Sequence, residues 1–419
     1  MDKNAKNVRV GIFGLGRGWA YGPSFLACNA SIVAVCDKDP KRVENVCKIV
    51  GEGVVGYDDF DKFIEHDMDA VLLANYYNEH TEYAIRCLEK GIHVLSECTS
   101  NATMAEGVQL VRAAEKSSAI YMLAENYPYM IFNKEMKRVC DGGTLGKFLY
   151  AEGEYNHPVD PDDDGFRRHH MPYKKHWRNY LARTYYITHS LGPIMHMTGA
   201  VPKRVSAFAC YNPDATDNLQ GLYVGDQAAI ITTLNDDGSV FRVTGTASFG
   251  GHECSTRICG DKAQMENLRD GSGRVAVHYN SWDKPEELES NEISYVPEWP
   301  AEEKEKIEQA GHGGGDYFVI REMFRAIREN KKPEFDEYFA TTLASVGILG
   351  HRSLLENGVA YDIPDFHKEE DRVKYENDYI TPFYGSDGSE PTIRSTNHPE
   401  FCLTPEKMAL YDQRIAEVK

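Results

Sequence analysis

Short apolar runs alternate with amphipathic helical patterns over the first 124 residues. The runs at 8–13, 32–36, 70–74, 93–95 and 120–123, with a weaker one near Val54, have the length of buried strands. Helical patterns fill the intervals at 19–29, 40–50, 59–65, 81–90 and 105–116. Strands that alternate with helices in this way predict an α/β fold with a doubly wound parallel sheet.

After Glu125 the pattern changes to longer strand-like runs and a few long helices. The strand-like runs lie at 148–155, 205–209, 228–234, 241–248 and 255–260, and the helical patterns at 130–140, 301–309, 317–330 and 336–357. They predict a second domain at 126–360 with a largely antiparallel sheet. Residues 361–419 have few periodic apolar positions, which predicts an extended arm that wraps a domain or a neighbouring subunit.

The composition is that of a globular protein that binds neither nucleic acid nor membranes. The chain has 419 residues, 42% hydrophobic and 26% charged, and a formal net charge of −19, which disfavours phosphate backbones and anionic lipids. Ten scattered cysteines form no Cys-x-x-Cys pair, as expected of reduced thiols. No apolar run approaches membrane-spanning length, and the first strand follows a short polar start with no room for a signal peptide. We therefore expect a cytoplasmic protein.

A glycine-rich turn follows the first strand and opens a helix. An acid, Asp37, ends the next strand about 20 residues later, which is the dinucleotide-binding pattern. Asp37 would accept hydrogen bonds from the ribose hydroxyls and repel a 2′-phosphate, which favours NAD, whereas Lys38 and Arg42 would suit NADP. Trp19 stands where the third glycine is expected, one residue after Gly18, so helix and strand must pack differently there. The residues of the turn are Gly14, Leu15, Gly16, Arg17 and Gly18.

The stretch 178–196 carries groups that could move protons. Thr188 is a candidate N-cap and Pro193 a candidate first-turn residue of a helix, so His189 would lie near the helix start. The positive end of the helix dipole favours a neutral imidazole there, which can act as a base near neutral pH. Tyr185 and Tyr186 lie just before it. The alternative is a buried histidine bonded to backbone, with tyrosines that only pack.

The chain resembles the Gfo/Idh/MocA oxidoreductase family over residues 8–360. The resemblance rests on the glycine turn, Asp37, the second domain after Glu125 and the segment 69–97, DAVLLANYYNEHTEYAIRCLEKGIHVLSE. It implies a Rossmann domain at 1–125 that binds NAD, and a C-terminal α/β domain with an open, mostly antiparallel sheet that binds substrate and forms a homodimer or homotetramer. Further cofactor contacts are expected from Trp19, Arg42, Asn75, Tyr76, His80, Glu97, Cys98, Asn126, Trp177 and Arg178.

One departure from the family pattern bears on function. Ordinary members have Glu-Lys-Pro after the fifth strand, and that lysine assists proton transfer at the hydroxyl being oxidised. This chain has Glu97-Cys98-Thr99. A thiol does not replace an ammonium as a proton-relay partner. The protein therefore either is not a working oxidoreductase or uses other groups.

Other motifs resemble the NAD-dependent glycosidase branch of this family, whose best-known members are α-N-acetylgalactosaminidases. The motifs are AENYPYM at 124–130, AEGEYNH at 151–157, YITHSLGP at 186–193 and GHGGGD at 311–316. The resemblance implies catalytic positions at Glu125, Tyr155, Tyr186 and His189. Tyr185, His312 and Asp316 are expected to bind the sugar substrate; a purely structural glycine-rich helix start is the alternative for the last two.

The hypothesis that follows is a redox-neutral glycoside hydrolase. Hydride removal from C3 of the sugar gives a ketone that acidifies the C2 proton, a base removes that proton, and the C1 aglycone leaves. Water then adds and the hydride returns. His189 would serve the C3 hydroxyl, Tyr155 and Tyr186 the C2 proton and the leaving group, and Glu125 would orient the nicotinamide ribose or a tyrosine. Two alternatives stay open: an NAD-dependent sugar or cyclitol dehydrogenase, and a non-catalytic NAD- or sugar-binding protein.

The polar segment 157–180 permits two interpretations. Asp160, Asp162, Asp163 and Asp164 could bind calcium, but an acidic run in a loop is usually solvated. The basic and aromatic residues that follow could form a lid with an aromatic platform for sugar, or a loop that contacts solvent or a subunit. They are Arg167, Arg168, His169, His170, His176, Trp177 and Arg178. No ligand cluster requires a metal.

Overall fold

The chain forms two units, each built around its own β-sheet. The computed structural model describes residues 7–158, 173–211 and 223–416. The first unit takes the described residues of Met1–Glu135, Pro297–Thr341 and Phe366–Asn377, and the second those of Met136–Val296, Thr342–Asp365 and Asp378–Lys419. The candidate calcium residues at 160–164 and the lid residues at 167–170 lie outside the described residues.

The elements are numbered in chain order. The strands are β1 (Val8–Phe13), β2 (Ala30–Cys36), β3 (Val55–Tyr57), β4 (Ala70–Leu73), β5 (His93–Ser96), β6 (Tyr121–Leu123), β7 (Phe148–Asn156), β8 (Pro202–Tyr211), β9 (Asp226–Asn235), β10 (Val240–Thr244), β11 (Glu253–Gly260), β12 (Ala263–Asn267), β13 (Val275–Tyr279), β14 (Glu292–Tyr295) and β15 (Tyr361–Asp362). The helices are α1 (Gly22–Ala27), α2 (Pro40–Val50), α3 (Phe60–Phe63), α4 (His80–Glu89), α5 (Met104–Lys116), α6 (Ile131–Asp141), α7 (Thr188–Thr198), α8 (Lys304–Glu308), α9 (Gly315–Glu329), α10 (Glu337–Leu355), α11 (Glu369–Arg372) and α12 (Pro405–Ala416).

The first sheet has six parallel strands in the order β3-β2-β1-β4-β5-β6. The order reverses direction at β1 and β4, and ligands of such sheets bind beyond the carboxyl ends of the strands at that point. Central strands such as β4 are buried at every position, because helices cover both faces. The predicted doubly wound sheet is confirmed. The expected helix at 19–29 is instead a 3₁₀ turn, Gly18–Tyr21, followed by α1, whose first turn holds Pro23.

The second sheet has nine strands among the described residues, in the order β14-β13-β12-β11-β7-β10-β9-β8-β15. Only β7 and β10 pair in parallel; the other neighbours are antiparallel. This confirms the mostly antiparallel sheet predicted from the strand-like runs after Glu125. No helix in the described part of the chain is both long and apolar enough to cross a bilayer.

Two details of α7 differ from the sequence prediction. Ile187, not Thr188, is the N-cap, and no side chain caps this helix, so Thr188 is already helical. Pro193 lies inside the helix rather than in its first turn. A proline there removes the amide donor that would reach the carbonyl four residues earlier, at His189. The helical hydrogen bond from residue 193 to the carbonyl of His189 is therefore absent.

Regular structure is sparse from Tyr361 to Ala416, where the described residues form only β15, α11 and α12. Within the second unit, side-chain hydrogen bonds connect this segment to the rest of the unit. Asp378 accepts two hydrogen bonds from Arg352, both of 2.6 Å. The buried carboxylate of Asp226 accepts hydrogen bonds from the Thr396 hydroxyl and the Asn397 amide, at 3.2 and 2.9 Å.

Candidate functional site

The glycine turn after β1 has the close contacts that a dinucleotide turn requires. Gly14 has φ +91°, and a Cβ there would lie 2.3 Å from the carbonyl oxygen of Ala74, so only glycine fits. A Cβ on Gly18 would lie 2.8 Å from Ile12 and 3.2 Å from the Ala74 side chain. Gly18 thus provides the close packing expected of the third glycine, which leaves Trp19 free to occupy the following position.

Asp37 stands at the end of β2, beside that turn. Its Oδ2 accepts a hydrogen bond from the Leu15 amide at 2.7 Å and its Oδ1 one from the Asp39 amide at 2.8 Å. Arg42 reaches to 4.0 Å from Oδ2 and lies over Gly16. A carboxylate held at this place suits the ribose hydroxyls of NAD and repels a 2′-phosphate.

The residues between β4 and α4 complete this side of the first unit. Both polar atoms of the Asn75 side chain are buried with no hydrogen-bond partner among the described residues, which fits an amide that binds a ligand. Lys38 lies 4.7 Å from the centre of the Tyr76 ring. His80 is buried, and its Nδ1 is 2.8 Å from the Thr99 carbonyl oxygen. Together with Gly14 and Asp37, these residues fit a bound dinucleotide.

Arg17 does not extend freely from the turn. Its Nε donates to Glu97 at 2.8 Å, and its two terminal nitrogens donate to the two carboxylate oxygens of Asp316 at 2.9 and 2.7 Å. Asn126 donates to Asp316 at 2.7 Å, and Nδ1 of His312 lies 3.2 Å from it. Burial alone would raise the pKa of Asp316, but hydrogen bonds from His312 and Arg17 hold that pKa well below its usual range. Asp316 is therefore a buried carboxylate anion.

Cys98, at the position for which the family resemblance implies a lysine, lies next to Glu125. The Cys98 thiol donates a hydrogen bond to Oε2 of Glu125 at 3.2 Å, and the Tyr127 amide donates to Oε1 at 3.1 Å. The Glu125 side chain is fully buried. Position 98 thus carries a thiol that donates to a neighbouring buried carboxylate.

In the second unit, Tyr155, Tyr186 and His189 form one cluster. The Tyr186 hydroxyl is 3.2 Å from Nε2 of His189. The rings of Tyr155 and His189 meet edge-on at 4.9 Å, and those of Tyr155 and Tyr186 lie 5.7 Å apart. The structure therefore brings together three of the four predicted catalytic residues, and Glu125 belongs to the first unit.

A close approach between β7 and α7 creates this cluster. Gly153 precedes Tyr155 by two residues, so both lie on the same face of β7. A Cβ on Gly153 would lie 2.2 Å from the carbonyl oxygen of Ser190. Thr244 fixes both sides, because its hydroxyl accepts from the Tyr155 amide at 3.1 Å and its carbonyl accepts from the Ser190 hydroxyl at 2.6 Å.

Two histidines that the sequence did not predict as site residues, His157 and His252, contact this cluster. The His157 ring lies 5.6 Å from Tyr155 and 4.8 Å from His252, which is exposed. Burial, helped by His252, Arg178 and His189, lowers the pKa of His157 to about 4. The period-2 pattern of β7 could have identified His157, since 153, 155 and 157 share one face. No local pattern pointed to His252.

Three further predicted residues also belong to the second unit. Trp177 and Arg178 lie in a 3₁₀ turn, Trp177–Tyr180, where the Arg178 guanidinium stacks 4.4 Å over the Trp177 ring. Burial lowers the pKa of Arg178, and attraction to the negative charge that Tyr186 and Tyr155 carry when ionised opposes this shift, so Arg178 is an electrostatic neighbour of the cluster. Tyr185 is buried, and its ring packs against His351 and Phe383.

The described residues contain no group of three or more histidine, cysteine, aspartate or glutamate side chains arranged to hold a metal ion.

Two family models match separate parts of the chain. Residues 8–125 match the Gfo/Idh/MocA model, described as "Oxidoreductase family, NAD-binding Rossmann fold". Residues 257–372 match the model "Glycosyl hydrolase 109, C-terminal domain". These matches confirm the resemblance and the NAD cofactor that the sequence predicted.

Curated relatives with similar sequences are also named glycosyl hydrolase family 109 proteins. A glycosyl hydrolase family 109 protein of Saccharopolyspora erythraea is 25% identical over 419 residues, covering 92% of this chain and 87% of the relative. One from Bacteroides thetaiotaomicron is 23% identical, covering 86% and 85%.

Solved structures share the fold. Levoglucosan dehydrogenase in complex with NADH and levoglucosan has a TM-score of 0.72 at 17% identity, covering 86% of this chain and 100% of that one. An oxidoreductase from Agrobacterium radiobacter, in complex with NAD⁺, L-tartaric acid and magnesium, has a TM-score of 0.67 at 14% identity, covering 85% and 98%.

Proposed function

We propose that this chain, whose residues 8–125 match the NAD-binding Rossmann fold of the Gfo/Idh/MocA oxidoreductase family, is an NAD-dependent, redox-neutral glycoside hydrolase. The observation that carries the proposal is the cluster of Tyr155, Tyr186 and His189 in the second unit. The similarity to glycosyl hydrolase family 109 proteins supports it.

NAD would be held by the glycine turn, Asp37 and Asn75 in the first unit. When bound, NAD accepts a hydride from C3 of the sugar and later returns it, so C3 is a ketone in between. The residues of the chain must therefore move protons at the C3 hydroxyl, at C2 and at the leaving group.

His189 is assigned to the C3 hydroxyl, and Tyr186 is its hydrogen-bond neighbour. The 3.2 Å contact between the Tyr186 hydroxyl and Nε2 of His189 lets the two groups share one proton. The imidazole can take up the hydroxyl proton as hydride leaves C3, and can give it back when the alcohol is restored. Cys98 stands where the family lysine would do this work, so another base is needed.

Tyr155 is assigned to the C2 proton. A tyrosine acts as a base only when its phenolate is stabilised, and the positive charge of Arg178 is coupled to both tyrosines of the cluster. Once C3 is a carbonyl, removal of the C2 proton expels the C1 aglycone by elimination. Tyr186 would donate a proton to the departing oxygen, and water then adds at C1 as the proton returns to C2.

Other predicted contacts belong to the same proposal. Glu125 would orient the nicotinamide ribose or a tyrosine, and His312 would bind a sugar hydroxyl. We also propose that the protein works in the cytoplasm as a homodimer or homotetramer. Light scattering of the purified protein measures its oligomeric state.

A second candidate is an NAD-dependent sugar dehydrogenase. Its support is the fold shared with levoglucosan dehydrogenase, which was solved with NADH and a sugar. This reaction would release NADH with every turnover rather than regenerate the cofactor.

A balance of products separates the two candidates. The purified protein is incubated with NAD and a panel of aryl glycosides, and separately with free sugars, while aglycone and NADH are measured together. The proposal predicts aglycone release with no net NADH. NADH formed in equal amount to a consumed free sugar would establish the dehydrogenase instead, and NAD binding without any turnover would contradict both.

A further inference from the structure

Asp316 occupies a site with no access to solvent and four hydrogen-bond donors around it. Arg17 supplies two donors, the Asn126 amide one, and Nδ1 of His312 the fourth contact, at distances from 2.7 to 3.2 Å. The side chain is completely buried. A carboxylate offers about four acceptor positions, so its capacity is used by the chain itself.

The four donors come from three distant parts of the first unit. Arg17 belongs to the glycine turn after β1, Asn126 follows β6, and His312 lies in the glycine-rich loop before α9. A buried carboxylate that joins such segments fixes their relative positions, because loss of one partner leaves an uncompensated charge in the interior.

Arg17 directs each of its three guanidinium nitrogens at a carboxylate. Its third donor, Nε, binds Glu97 at 2.8 Å, and Glu97 also accepts a hydrogen bond from the Tyr21 hydroxyl at 2.9 Å. All three nitrogens of the guanidinium therefore donate to protein carboxylates. The pyrophosphate of a dinucleotide would then depend on the backbone amides of the turn.

We propose that Asp316 is a positioning residue for NAD. Its hydrogen bonds to Arg17 hold the glycine turn in the conformation that binds the pyrophosphate. Asp316 thus acts on the cofactor through Arg17, not by contact. The same carboxylate orients His312, with Nδ1 toward Asp316. This inference concerns the affinity for NAD and does not depend on which sugar reaction the chain catalyses.

The test measures NAD binding rather than turnover. The dissociation constant for NAD is determined by titration calorimetry for the full-length wild type and for Asp316→Asn, which keeps the shape of the side chain and removes its charge. Thermal unfolding without NAD is measured on the same samples. We expect Asp316→Asn to bind NAD roughly 10- to 100-fold more weakly.

Asp378→Asn is the matched control. Asp378 also accepts both terminal nitrogens of an arginine, Arg352, at 2.6 Å, but it belongs to the second unit. We expect this variant to lose thermal stability as Asp316→Asn does, while its dissociation constant for NAD stays within about twofold of wild type. A merely structural role of Asp316 would make the two variants alike in both measurements.

Two results would overturn the inference. One is unchanged NAD affinity in Asp316→Asn. The other is tighter binding, which would mean that Arg17 is a phosphate ligand that Asp316 restrains. If Asp316→Asn does not fold, the double variant Arg17→Gln/Asp316→Asn, which removes both charges of the ion pair, is measured instead. The same loss of NAD affinity is expected, and unchanged affinity would contradict the inference.

Discussion

The Cys98 thiol lies 3.2 Å from Oε2 of Glu125 and donates a hydrogen bond to that fully buried carboxylate. At the position for which the family resemblance implies a proton-relay lysine, this chain thus has a cysteine that binds a carboxylate. Cys98 holds a neighbouring acid in place and supplies no positive charge. This relationship is why the proposed chemistry relies on the tyrosine and histidine cluster.

Cys98→Ala should destabilise the protein, because Glu125 loses a donor in an environment that water cannot reach. We expect the free energy of unfolding to fall by about 1 to 3 kcal/mol in urea denaturation. Cys98→Ser keeps a donor of similar size and should stay closer to wild type. Equal losses in the two variants would show that the hydrogen bond does not matter.

Tyr155→Phe should abolish most aglycone release, because the hydroxyl that takes the C2 proton is gone. We expect turnover to drop by about 10² to 10⁴, the usual contribution of a general acid or base. Tyr150→Phe is the control on the same strand. Tyr150 lies on the opposite face of β7 and its hydroxyl donates to Glu152 at 2.8 Å. Similar losses in both variants would argue against a role for Tyr155.

Local patterns predicted the fold and some residues of the dinucleotide turn and of the tyrosine and histidine cluster. Buried parallel strands such as β4 are continuous apolar runs, and Gly14 with Asp37 marks a dinucleotide turn. Both signals lie within a short stretch of sequence and can be recognised there. Tyr186 lies just before α7 and His189 in its first turn, three residues later, so the sequence also places them together. In contrast, Arg17 and Asp316 are 299 positions apart. No periodicity connects such residues, because only the folded chain brings them into contact.

The orientation of neighbouring side chains was equally hidden. Tyr185 and Tyr186 are adjacent in the sequence, yet Tyr185 packs against Phe383 and Tyr186 against His189. The sequence shows two tyrosines before a helix. It does not show which of the two side chains points toward the cluster. His252 contacts His157 through pairing of β7 with β11, a long-range relationship as well.

Stability should decline as the pH falls from about 6.5 to about 4. The pKa of His157 is lowered from 6.5 to about 4, and burial lowers that of His351 to about 4 as well. The unfolded chain binds these protons near pH 6.5 and the folded protein only near pH 4, so stability is fully present above 6.5 and is lost below it. Each histidine contributes a slope of at most about 1.4 kcal/mol per pH unit.

Histidine variants check this account by urea denaturation at several pH values. His157→Asn and His351→Asn should each flatten the dependence between pH 4 and 6.5. Only His157→Asn should also change aglycone release, because the His157 ring contacts Tyr155. An unaltered slope in both variants would contradict the assigned protonation states.

Asp37→Ala should weaken NAD binding by about tenfold and narrow the preference for NAD over NADP. The carboxylate is lost as an acceptor for ribose, and Arg42, now 4.0 Å from Asp37, becomes free to attract a 2′-phosphate. Asp67→Ala is the control, since Asp67 pairs with Arg9 and is largely exposed. Titration with both dinucleotides measures the effect. An unchanged ratio of the two affinities would rule out Asp37 as the selecting residue.

The most direct test of the proposed reaction is the fate of the hydrogen at C2. The wild-type protein hydrolyses a glycoside in D₂O with NAD present, and the released sugar is analysed by NMR and mass spectrometry. Proton removal at C2 and its return from Tyr155 predict deuterium at C2 of the product, with no net formation of NADH. A product that keeps its original hydrogen at C2 would contradict the elimination route, because direct displacement at C1 never breaks that bond.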